Sequence, residues 1–211
     1  MRIYSYFRSS TSYRVRIALN LKGLSYDIVP VNLLGSEQTT PDYREVNAFA
    51  AVPALETGGA TLVQSMAILE WLEETKPTPP LWPTDPVQRA QARALAYGIA
   101  CDLHPINNLR VLNYLKREFD AEQDAISEWY KHWVAETFSP LEDMLNEHAA
   151  AQDFPFGAPG GFEVCLVPQM YNARRFDCDL SPYPRLVALD AACRALPAFH
   201  SAAPEQQIDA K

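Results

Sequence analysis

The chain is poor in several features that would announce a specialised class. Its cysteines, Cys101, Cys165, Cys178 and Cys193, lie far apart, with no C-x-x-C pair and no histidine at metal-ligand spacing. That excludes a disulfide scaffold or a zinc ribbon, leaves no metal site to expect, and fits idle thiols in a reducing cytosol. No run of about 18 apolar residues occurs, so no membrane-spanning helix is expected. The opening Met-Arg-Ile-Tyr-Ser-Tyr is already strand-like and lacks the apolar stretch and cleavage site of a signal peptide, which makes the cytoplasm the expected location. Basic charge is also scarce: 18 Lys and Arg stand against 26 Asp and Glu, a net charge of −8. A nucleic-acid partner needs a basic face and is therefore not expected. Repeats and low-complexity tracts are absent as well.

What remains is a globular composition, 48% apolar and 21% charged over 211 residues, enough for one large domain or two modest ones. Residues 2–6 alternate like a short strand, and residues 12–22 carry helical spacing that ends at Gly23. Residues 26–33 read as a second strand, placed at a sheet edge by Pro30. Residues 52–56 and 61–64 flank Thr57-Gly58-Gly59-Ala60 as a hairpin, and residues 66–75 are helical with Ser65 in the N-cap position. The order βαβ then ββα predicts a small mixed sheet covered by helices. Five prolines between Pro77 and Pro86 then mark a linker. Beyond it residues 87–117, 122–149, about 162–175 and 184–195 carry helical patterns, which predicts a helical bundle. The expected domains are residues 1–79 and 87–211.

The most informative segment is Arg8-Ser9-Ser10-Thr11-Ser12-Tyr13-Arg14-Val15-Arg16, with consecutive hydroxyl residues between a strand and a helix start. Such residues gather at helix starts for capping alone. They also suit a thiolate site, because a hydroxyl donor and the free amides of a helix N-terminus both stabilise an anion.

Ser9 to Leu19 with Lys22-Gly23 resembles the signature that opens the zeta-class glutathione transferases, the class containing the maleylacetoacetate and maleylpyruvate isomerases. Val52-Pro53-Ala54-Leu55, Gln64-Ser65 with Ile68 to Glu74, Cys101 to Arg110, Leu166 to Gln169, Ala173 to Phe176 and Asp179 to Pro184 continue the resemblance in order along nearly the whole chain. It implies an α/β thioredoxin-like N-terminal domain followed by an all-α C-terminal domain, the glutathione-transferase fold, assembled as a homodimer. It implies glutathione as cofactor, with Pro53 cis and the Val52 backbone pairing with the tripeptide. Gln64 and Ser65 would hold its γ-glutamyl end, Gln38 is a weaker candidate on a poorly matching loop, and His104 and Asn108 would contact glutathione or substrate from the helical half.

The implied activity is cis–trans isomerisation of a maleyl dicarboxylic acid: a thiolate adds to the double bond, the bond rotates, and elimination releases the fumaryl isomer. Ser9 is the first choice for activating the thiol, with Ser10 and Thr11 as alternatives. A free thiol titrates at about 8.5, and lowering that by about two units requires roughly 2.7 kcal/mol of preferential stabilisation. Arg8, Arg110 and Arg175 occupy positions suited to the substrate carboxylates, since the planar guanidinium fork matches a carboxylate. Arg14, Arg16 and Arg174 read as surface or ion-pair residues. Two other functions use parts of the same signature: a transferase or dehalogenase acting on small electrophiles, and a non-catalytic binding module. The arginine trio favours the diacid, and the retained hydroxyl, Val-Pro and Gln-Ser motifs disfavour the module. One departure stands out: a Thr-x-x-Asp capping box usual in the family is replaced here by Gly160 and Glu163, which leaves the helix start near residue 162 weakly held.

Overall fold

In the computed structural model, residues 1–147 and 154–210 are described, and they divide into two compact units: Met1–Leu81 with Arg194–Lys211, and Trp82–Cys193. The first unit is built on β1 (Arg2–Ser5), β2 (Asp27–Pro30), β3 (Ala54–Glu56) and β4 (Thr61–Val63), in the sheet order β2-β1-β3-β4. Ile3 sits opposite Ile28 in the parallel pair and Leu55 in the antiparallel pair. Strand β2 is an edge, as Pro30 requires, because that residue has no N–H to give a further neighbour.

Helix α1 (Ser10–Leu21) lies deepest in this unit, packed against α3 (Ser65–Thr75) and α10 (Pro197–Ala202). Val15, Ile17, Ala18 and Leu19 are fully buried, as are Ile68, Leu69 and Leu72 on α3. The helix leaves no polar face either: Arg14 and Arg16 are 1% and 0% exposed. Lys22 reaches across the end of α1, donating to Glu73 at 3.0 Å and to the carbonyls of Lys76 and Pro79 at 2.6 and 2.9 Å. A charged group so enclosed is stable only when each proton finds an acceptor, and this one fastens the proline-rich segment to its own unit.

Several boundaries differ from the sequence expectation. A short helix α2 (Pro41–Val46), capped by Thr40, intervenes between β2 and β3; with six residues it is too short for a periodic signal. Ser65 is the first residue of α3, and the N-cap is Gln64, which offers no side-chain cap and has φ of 69°. The segment 194–210, expected in the helical domain, packs with the first unit because Phe199 and Ala202 of α10 are fully buried there and Arg16 donates to the Ala202 carbonyl at 3.0 Å.

Among its described residues the second unit has helices and connecting turns and no strand. The expected run over 87–117 is interrupted: α4 (Pro86–Tyr97) passes into a π-helical stretch at Gly98–Leu103, a short turn α5 (His104–Ile106), and then α6 (Leu109–Phe119). Pro105 and the two asparagines account for the break, since Asn108 caps α6 by accepting from the Arg110 N–H at 3.1 Å. Helix α7 spans Gln123–Glu147; residues 148 and 149, also expected to be helical, lie outside the described residues. Helix α8 (Gly161–Arg175) is buried at every position from Gly161 to Met170 and forms the centre of the unit, followed by α9 (Pro184–Arg194). None of the described helices is long and apolar enough to cross a membrane.

Candidate active site

The loop between β1 and α1 turns tightly: the Ser9 N–H donates to the Tyr6 carbonyl at 2.9 Å, closing a four-residue turn around Phe7 and Arg8. Ser9 is the N-cap of α1 in extended backbone, its Oγ accepting from the Ser12 N–H at 3.2 Å. Its hydroxyl also lies 2.9 Å from that of Thr11, and Thr11 donates to the Val52 carbonyl at 2.8 Å. Thr11 has one proton and gives it to Val52, so Ser9 must be the donor between the two hydroxyls. A directed chain results, Ser9 to Thr11 to Val52, joining three of the expected residues across 41 positions of sequence. The Val52–Pro53 bond is cis, as expected. Ser10 is 6% exposed and turned into the unit, and Ser12 is fully buried.

The start of α3 forms the second part of the site. Gln64 is exposed and adopts a positive φ that a residue with a β-carbon rarely takes, and such backbone persists where surrounding structure enforces it, commonly at ligand sites. Ser65 is 4% exposed and accepts from Arg14 at 3.4 Å, which ties α3 to α1. Neither α1 nor α3 carries an acidic residue in its first turn. Both positive helix ends are thus left without a neutralising side chain of their own. Gln38, on the loop after β2, has a buried Oε1 with no partner among the described residues.

Arg8 lies over the Phe7 ring at 5.0 Å and donates to the Tyr6 hydroxyl at 3.0 Å, within the same turn as Ser9. The remaining candidates belong to the second unit. Asn108 Nδ2 is 3.3 Å from His104 Nε2, so these two form one polar pair. Arg110 is exposed at the start of α6, and Arg175 is exposed at the end of α8, donating to Asn172 at 3.3 Å. Arg174 makes the structural ion pair its position suggested, with fully buried Asp190 at 2.6 Å.

Two features of the first unit depart from what the sequence suggests: Arg16, expected like Arg14 at the surface or in an ion pair, is fully buried, and Asp209 carries no signal at all. Arg16 is neither solvated nor ion-paired by hydrogen bonds: it donates to the Ser5 hydroxyl at 2.9 Å, the Phe7 carbonyl at 3.0 Å and the Ala202 carbonyl. Burial lowers its guanidinium to about 10, because no carboxylate bonds it directly. Asp209 accepts from the Phe7 N–H at 2.9 Å across 202 positions. No local spacing could have signalled a contact of that range.

The fold and site together define a glutathione transferase, and residues 8–75 match the glutathione S-transferase N-terminal domain family. The maleylpyruvate isomerase of Ralstonia sp is 46% identical over 99% of both chains. A solved holo structure of maleylpyruvate isomerase, a bacterial zeta-class glutathione S-transferase, superposes with a TM-score of 0.98 at 45% identity, each chain covered in full. A maleylacetoacetate isomerase from Anaeromyxobacter dehalogenans 2CP-1, solved with dicarboxyethyl glutathione and citrate in its active site, gives 0.87 at 43% identity over 100% of this chain and 93% of that one. The chain belongs to the zeta-class family of maleylpyruvate and maleylacetoacetate isomerases.

Proposed function

We propose that the chain is a glutathione-dependent cis–trans isomerase that converts a maleyl dicarboxylic acid, maleylpyruvate or maleylacetoacetate, to its fumaryl isomer. The observation that carries this reading is the directed chain from Ser9 through Thr11 to Val52, seated at an N-terminus that no acidic side chain neutralises.

The residues present fit glutathione. Val52 lies outside the β3 ladder, which supports the reading that its backbone pairs with a peptide in strand fashion. The amides at the start of α3, with Ser65 and Gln64, suit the γ-glutamyl carboxylate, and the unpartnered Gln38 oxygen suits an N–H donor. When bound, glutathione supplies a thiolate whose reversible addition to the maleyl double bond permits rotation. Ser9 stabilises that anion by turning its proton away from Thr11. The exchange is favourable because a charge-assisted hydrogen bond contributes about 1.5–3 kcal/mol against about 1 kcal/mol for a neutral one. Thr11 remains anchored on Val52, and the Ser12 N–H, which donates to the Ser9 oxygen, keeps that oxygen in place. Arg8, Arg110 and Arg175 are assigned to the substrate carboxylates, and His104 and Asn108, a polar pair within the second unit, to glutathione or substrate. A homodimer in the cytoplasm completes the proposal, with light scattering as the check on assembly.

The test is turnover of both maleyl diacids with and without glutathione, beside a neutral electrophile such as a chlorinated aromatic. Diacid turnover that requires but does not consume glutathione, and that falls about ten- to 150-fold on replacing any of the three arginines with Ala, supports the reading. Preference for the neutral electrophile, indifferent to the arginines, makes the protein a transferase instead.

A further inference from the structure

In a tight turn the second residue's N–H and C=O have no partner within the turn and ordinarily face water. In the turn that carries Arg8 and Ser9, both groups of Phe7 are taken by charged side chains from elsewhere in the same unit: Asp209 accepts the N–H at 2.9 Å and Arg16 donates to the carbonyl at 3.0 Å. Arg16 is fully buried and is itself fixed by Ser5 and by the Ala202 carbonyl. Asp209 feels the Arg16 charge, and its Oδ1 is buried without a partner among the described residues. The tail that presents Asp209 is set by Gln207, 8% exposed, which donates to the carbonyls of Ser201 and Ala203 at 3.0 and 2.8 Å. Phe7 in turn supports its neighbours, because the Arg8 guanidinium rests on its ring and the turn ends at the Ser9 N-cap.

We propose that Asp209 and Arg16 are positioning residues for the reaction, holding the two peptide groups that flank Phe7 and so fixing the Ser9 hydroxyl and the Arg8 guanidinium where thiol and diacid meet them. The proposal rests on the isomerase reading for the roles of Ser9 and Arg8. The grip itself belongs to this chain's own atoms. Asp209 is the residue to change, since it is half-exposed and its loss leaves no cavity in the core.

The experiment compares Asp209→Ala and Asp209→Asn in the full chain, using glutathione as the probe. The thiolate absorbance of the binary complex is titrated against pH, and kcat and KM are measured for the maleyl diacid, with the thermal midpoint recorded alongside. Asp209→Ala is expected to raise the bound thiol's pKa by about half a unit to one unit, to move the acid limb of kcat upward with it, and to lower kcat at pH 7 about tenfold. Asp209→Asn keeps an oxygen for the Phe7 N–H and is expected to recover most of both. A merely structural role would lower the thermal midpoint and the active fraction while leaving the thiol titration in place, and that result overturns the proposal. Equal losses in the two variants also overturn it, because then charge and not the hydrogen bond matters. If the unaltered protein turns over no maleyl diacid, the isomerase reading fails, and the thiol titration still decides the grip.

Discussion

Two helix starts in this molecule are built in opposite ways. At α1 the N-cap is Ser9, a hydroxyl at half-exposed backbone with no acid in the turn that follows. At α8 the N-cap is Gly160, which has no side chain, and Glu163 folds back instead to accept the Gly160 N–H at 2.8 Å. Glu163 is 1% exposed, and burial pushes its carboxyl up to about 7 despite hydrogen bonds from the backbone at Gly160 and Glu163. The contrast separates two uses of the same dipole. An end left without an acid can take an anion from solution, whereas an end closed by its own buried acid serves only the packing of α8.

The comparison breaks first at Ser9. Ser9→Ala is expected to lower isomerase turnover roughly ten- to a thousandfold while costing about 1 kcal/mol of stability from the lost cap. Steady-state rates set beside chemical denaturation measure the two separately, and unchanged turnover in Ser9→Ala, Ser10→Ala and Thr11→Ala alike would remove the hydroxyl from the mechanism. At the other helix start the balance inverts. A β-carbon on Gly161 would fall within the ring of Trp82, itself 2% exposed. Gly161→Ala is therefore expected to cost about 1–3 kcal/mol, seen in denaturant midpoints, with the rate per folded molecule unchanged.

Smaller effects sharpen the contrast. Between pH 4.5 and about 7 the unfolded chain has released the Glu163 proton while the folded chain still holds it. The unfolded state then binds fewer protons, so this group's contribution to stability is complete at low pH and is lost as pH rises through that window. Glu163→Gln keeps an acceptor for Gly160 and cannot ionise, so its thermal midpoint should gain on the unaltered protein from pH 5 to pH 8. A parallel pair of pH profiles would contradict the buried carboxyl. The smallest change expected is at Gly160, whose φ of −142° is backbone that residues with side chains also adopt. Gly160→Thr should add about 0.5–1 kcal/mol by supplying the missing cap, and a loss would show that the site has no room for it.

Much of this was legible because it is local. The strand over residues 2–6, the hairpin around Gly58 and the helix over 66–75 follow from alternation, turn residues and spacing, and all three are present within a residue or two. The cis bond before Pro53 and the cluster of Ser9, Thr11 and Val52 came through the motif resemblance, not from periodicity. What escaped was either short or distant. Six residues cannot show a helical period, which hid α2 and α10. Arg16 looks like a surface residue until its three acceptors, one of them 186 positions away, are assembled around it. Gly160 alone predicts a weak helix start, and Glu163 partly repairs it by an arrangement that only tertiary burial reveals.

The division of the chain has a consequence for the order in which the protein is made. The helical unit, Trp82–Cys193, is continuous in sequence and is complete as soon as its last helix leaves the ribosome. The first unit begins earlier but waits for α10 and Asp209, which arrive on the order of ten seconds after residue 81 at ordinary elongation rates. During that interval the hydrophobic side of α1 that meets Phe199 and Ala202 has no cover from its own chain. The helical unit has all its residues first, and the unit built on α1 closes only when α10 and Asp209 reach it.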